Sequence, residues 1–142
     1  MENKIERLFW PAVIITLAVK LMLAAAIPVT SDEAYFTLWG HFPDFGYYDH
    51  PPMIGWLLYL ISFVGNSPVL IRLPAVFSTI LIALGVYFLL KPLDKTKAEL
   101  VSIFLLVSPL SILNVIITTD TPFIFFSFLS GFFLFFALKK DS

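Results

Sequence analysis

PFIFFSFLSGFFLFFAL, residues 122–138, carries no charge and holds half of the chain's 16 phenylalanines. At about 17 residues it is long enough for a helix to cross roughly 30 Å of hydrocarbon with some tilt. Three more apolar runs of about that length precede it, Leu8–Ile27, Pro74–Leu90 and Ala98–Ile117. In lipid each must be helical, because only a helix satisfies its own backbone groups within one segment. The expected fold is therefore an all-α integral membrane bundle of four spans, a single transmembrane region over residues 1–142. Composition agrees: 59% of residues are hydrophobic and 13% charged, where a soluble domain carries roughly a quarter charged. The net charge of −1 offers no basic field to nucleic acid. The absence of cysteine excludes disulfides and cysteine–zinc sites.

Leu8–Ile27 is long for the apolar core of a signal peptide, and Lys20 interrupts it, so it reads as a retained span. Pro11, Pro74 and Pro122 fall where first helical turns are expected. Pro109 should kink the third span, since it lacks the helical donor and clashes with the preceding turn.

The basic residues orient the bundle. Lys4, Arg7, Lys91, Lys95, Lys97, Lys139 and Lys140 lie on one side, leaving Lys20 and Arg72 of the 9 Lys and Arg. That side should be the cytoplasm, with both termini in and two loops outside a cell membrane. The second outer loop, near Thr118–Thr121, is a tight turn. The first, Pro28–Leu73, should hold amphipathic juxtamembrane helices. Tyr35, Phe36, Leu38, Trp39 and Phe42 have helical spacing, and Thr30 and Glu33 have that of a capping box. Pro51-Pro52 opens a second short helix, Met53–Val64, too short to span and so interfacial or re-entrant. Asn66-Ser67-Pro68 starts a third segment leading into the second span.

These loops gather Asp32, Glu33, Asp44, Asp49, His50, Arg72 and Asp120. Ionisable groups at membrane depth are costly and hence functional candidates. Each has a structural reading beside that one. Glu33 closes the capping box, Asp32 complements a helix dipole, Asp49 and Asp120 cap helices, and Arg72 snorkels. The two readings are compatible for Asp32, because a carboxylate at the positive end of a helix serves as a base or a metal ligand.

Taken in order, Asp32-Glu33-Ala34-Tyr35, Asp49-His50-Pro51-Pro52, Arg72-Leu73-Pro74 and Thr119-Asp120-Thr121-Pro122 resemble the dolichyl-phosphate-mannose protein mannosyltransferase family. The bacterial members, lipid A aminoarabinose transferases among them, are similar. All are glycosyltransferases of the GT-C type. The resemblance implies transfer of a sugar from a polyprenyl-phosphate donor to a protein, lipid or glycan hydroxyl on the outer face. It implies Asp32 as general base, Glu33 positioning the acceptor or tuning Asp32, and Arg72 on the donor phosphate. Asp49, His50 and Asp120 would shape or charge the same pocket. No cofactor is demanded, and a divalent metal between Asp32 and the phosphate is the one metal role left open. Such enzymes are several times longer, so the expectation is the N-terminal part of a longer enzyme, inactive by itself. The alternative is a small non-enzymatic membrane protein or partner subunit that keeps part of the fold.

Overall fold

The computed structural model describes residues 2–140, with side chains over 8–139. The side chains of Lys4, Arg7 and Lys140, which contribute to the charge asymmetry, lie outside the described set. The chain is all-helical, 77% helix, with no strand among the described residues. Its elements are α1 (Glu2–Ala26), α2 (Ser31–His41), α3 (Met53–Ser62), α4 (Pro68–Leu90), α5 (Lys95–Val107), α6 (Pro109–Leu113) and α7 (Asp120–Lys140). Among the described residues, three stretches are long and apolar enough to cross a membrane: Leu8–Ala26, Pro68–Leu90 and Asp120–Lys139.

One core joins α1, α4 and α5. Phe9 stacks on Tyr87 at 4.5 Å and 22°, and both pack with Val13, Ile80, Ala83, Ala98 and Leu106. A second core joins the α2–α3 hairpin to α4 through Phe36, Trp39, Ile54, Leu58, Ile71, Ala75 and Ile117. The hairpin depends on Gly40, where a Cβ would stand 2.9 Å from the Leu58 carbonyl carbon. That approach leaves no room for any larger residue. Only 11% of the residues in the apolar stretch of α7 are buried, which suits a helix facing lipid or other helices.

The helix limits differ from the expected spans in three ways. Pro68 rather than Pro74 opens the second span, and Ser67 caps it by accepting from the Leu70 amide at 3.3 Å. The third segment and the second span are thus one helix, Pro74 is interior, and Arg72 lies on the span itself rather than in the loop before it. Pro11 likewise lies inside α1. The largest correction concerns Ala98–Ile117, which is two helices with a break at Ser108 instead of one kinked helix, and is not among the stretches long enough to cross. Residues preceding proline avoid the α region, and Ser108 is extended, at φ −60° and ψ 140°. Its Oγ then caps α6 by accepting from the Ser111 amide at 3.2 Å. At 1.5 Å per residue, the 13 residues of α5 cover roughly 20 Å, short of the bilayer core.

A broken pass frees carbonyls that lipid cannot satisfy, and here they meet Lys20. Its Nζ, fully buried, donates to the Ser111 carbonyl, to Asn114 O at 2.8 Å and to Thr79 Oγ1 at 3.3 Å.

Candidate active site

The motifs gather at one end of the bundle, where α1 ends and α2, α4 and α7 begin. Here the capping box is complete. Thr30 Oγ1 accepts from the Glu33 amide at 3.3 Å, while Glu33 Oε2 accepts from the Thr30 amide at 3.0 Å. The same carboxylate meets Arg72 edge to edge: Nε donates to Oε1 and Nη2 to Oε2, each at 2.7 Å. Both side chains are wholly buried. Arg72 uses its other three N–H groups on the end of α1. Nη1 donates to Ala24 O at 2.8 Å and Ile27 O at 2.7 Å, and Nη2 to Pro28 O at 2.9 Å. All five donors of the guanidinium are engaged within the chain.

Glu33 also reaches the segment after α6, its Oε1 accepting a long bond of 3.4 Å from the Ile117 amide. Burial pushes the Glu33 carboxyl up. Bonds from Arg72 and the Thr30 amide, the Arg72 charge and the Ile117 amide outweigh burial and hold it below the usual carboxylate range.

Asp32, one residue earlier, is the opposite case. It is exposed in the first turn of α2, and its side chain makes no hydrogen bond or ion pair with any described residue. Asp49 does not cap α3. Pro52 occupies that position with no side-chain bond, and Asp49 instead faces its neighbour, with His50 Nδ1 at 2.9 Å from Oδ1. His50 lies edge-on to Phe36, ring centres 6.0 Å apart. Tyr47 stacks flat on Trp39 at 4.1 Å, and its hydroxyl, 3.0 Å from Trp39 O, accepts from the Asp44 amide. The loop carrying Asp49 and His50 is thereby fixed against α2. Asp120 is exposed in the first turn of α7.

Two cavities open at this end. One, of about 580 Å³, lies between Pro51 and Met53 on one side and Thr119, Pro122, Phe123 and Phe126 on the other. It joins the second and fourth sequence motifs. The other, of about 560 Å³, lies beside the broken pass, with Ser111, Asn114, Thr118 and Asp120 in its wall. The first and third motifs meet directly as the Glu33–Arg72 pair. The Asp32 side chain has no hydrogen bond or ion pair with any of the other candidates.

The sequence model of the dolichyl-phosphate-mannose-protein mannosyltransferases matches residues 49–142, most of the chain. The chain belongs to that family. The match takes in Asp49, His50, Arg72 and Asp120, whereas Asp32 and Glu33 precede it. No curated protein and no solved structure matches the chain. Membership makes this a membrane protein of a glycosyltransferase-like family.

Two features of this mannosyltransferase-family chain went unassigned in the sequence: the anchoring of the broken pass by Lys20 and the Ile117 amide on Glu33. A lysine inside an apolar run, paired with a proline-broken run downstream, was the available signal for the first. Nothing in the sequence marks the second, which is a main-chain contact. Among the described residues no three His, Asp or Glu side chains gather as a metal site. A metal on Asp32 would therefore draw its other ligands from phosphate, water or groups outside that set.

Proposed function

We propose that this chain carries the acceptor-activating end of a glycosyltransferase that moves a sugar from a polyprenyl-phosphate donor to an acceptor hydroxyl. Asp32 is its general base. The observation carrying this reading is the division of labour between adjacent carboxylates. Glu33 is buried and saturated, while Asp32 is exposed and unengaged at the positive end of α2. The Glu33–Arg72 pair would hold that end of α2 rigidly against α1 and α4, so that Asp32 meets an acceptor hydroxyl in a fixed direction. Asp120, Asp49 and His50 would line the approach, with the cavity between Pro51 and Thr119 receiving substrate. The lysines at the opposite end of the bundle, Lys91, Lys95 and Lys97, support an extracytoplasmic site.

In this proposal Arg72 positions the base and does not grip the phosphate, since its donors are already used. The departing phosphate needs charge stabilisation rather than an acid. Yet Lys20 and Arg72, the Lys and Arg side chains described at this end, are both fully engaged. That observation favours the second reading, a partner subunit without its own activity, if no other part of the protein supplies the charge. Transfer from a polyprenyl-phosphate sugar by the full-length protein in proteoliposomes decides between them. Asp32→Asn should lower turnover by about 10² to 10⁴. Wild-type protein that transfers no sugar, or a variant with unchanged turnover, would reject the assignment.

A further inference from the structure

Lys20 sits six residues before the end of α1, roughly 9 Å below the motif end. Its side chain is fully buried, and it binds two main-chain carbonyls that belong to the end of a different helix. Asn114 closes α6, its own amide donating to Leu110 O, and the chain from there to Thr119 is not helical. That segment runs inward, with Val115 and Ile117 wholly buried. It is held at Asn114 by the Lys20 ammonium and at Ile117 by Glu33. The turn then closes, the Thr121 amide donating to Thr118 O at 3.1 Å and the Thr118 amide to Thr121 Oγ1 at 3.3 Å. Asp120 lies within that turn.

Two buried charges thus hold the segment that leads to Asp120. Glu33 ties it to the helix bearing Asp32, and Lys20 ties its start to the first span. We infer that Lys20 is a positioning residue: by capping the broken third pass it fixes the 114–119 segment and sets Asp120 in register with Asp32. The part concerning turnover rests on the glycosyltransferase reading; the part concerning the segment does not. Ammonium suits the task because it offers three donors from one point, and a helix C-terminus favours positive charge. A methionine of similar length would fill the space and leave the carbonyls without partners.

Hydrogen–deuterium exchange on the full-length protein in nanodiscs tests the segment directly. In Lys20→Met, amides 115–119 should exchange about tenfold faster while those of α2 keep their wild-type rates. A folded variant with unchanged exchange at 115–119 overturns the inference. Should Lys20→Met fail to fold, Lys20→Gln retains two donors and should give an intermediate rate; wild-type exchange in that variant overturns it equally. Turnover supplies the second arm. Lys20→Met should lower kcat about tenfold with donor KM unchanged, and should add nothing to Asp120→Asn in the double variant. Additive losses would show that Lys20 does not act through Asp120. An inactive wild type would end the glycosyltransferase reading while exchange still decides the role of Lys20.

Discussion

Arg72 and Glu33 meet through two parallel bonds of 2.7 Å, with neither side chain exposed, 39 residues apart in the chain. The same guanidinium closes the end of α1, and the same carboxylate opens α2. One ion pair therefore fixes the angle between the first span and the helix that presents Asp32. Buried pairs gain little over apolar packing when intact, but losing one partner leaves an uncompensated charge.

Arg72→Ala should accordingly destabilise the protein by about 3–5 kcal/mol, because it strands Glu33 and three carbonyls. Arg72→Lys keeps the charge but has three donors where five are used, and should lose about 2 kcal/mol. Thermal unfolding in detergent micelles orders the series. Near-wild-type stability of Arg72→Ala would mean the pair is not formed in the membrane-embedded protein.

The adjacent acids should separate cleanly. Asp32→Asn should change stability by less than about 0.5 kcal/mol, as an exposed side chain without partners does. Glu33→Gln should cost several-fold more, since an amide cannot accept from both Arg72 nitrogens. Equal effects of the two variants would contradict the division of roles.

Acid should weaken the fold through Glu33. Its folded pKa lies below the unfolded one, so its stabilisation is complete above the ordinary value of about 4.3. It is lost as pH falls from there through the folded value. Melting temperatures recorded from about pH 6 to pH 3 should therefore fall more steeply for wild type than for Glu33→Gln. Parallel curves would count against the pair as the acid-sensitive element.

Sidedness is open to direct labelling, because the chain has no cysteine of its own. Phe45→Cys, at a position 92% exposed in the first loop, should react with a membrane-impermeant thiol reagent in intact cells. Leu93→Cys, in the lysine-rich turn, should react only after permeabilisation. The reverse pattern would invert the proposed orientation.

Much of this architecture is legible in residue pattern. Three of the four apolar runs, the Thr30–Glu33 capping box and the Phe36–Trp39 face of α2 follow from length and periodicity, and the structure keeps them, while the run 98–117 is broken. Proline positions mislead more. Pro74 reads as a helix start, yet Ser67 and Pro68 supply both a cap and an initiator nearly two turns earlier. Pro109 reads as a kink, yet Ser108 can cap a new helix, and so the pass breaks. Arg72 is the instructive case among the candidate residues. Its side chain suits a phosphate, and only the arrangement of α1, α2 and α4 reveals that its donors are already spent. Partners tens of residues away leave no periodic trace in sequence.

The break after Val107 also bears on how the protein is made. A continuous helix can rest in hydrocarbon as soon as it leaves the insertion machinery, because its backbone is self-sufficient. The 95–119 pass cannot, since its open carbonyls find their donor on α1. Placed in lipid, residues 95–119 would need α1 beside them, so the expected assembly is ordered, with α1 in place before that stretch settles.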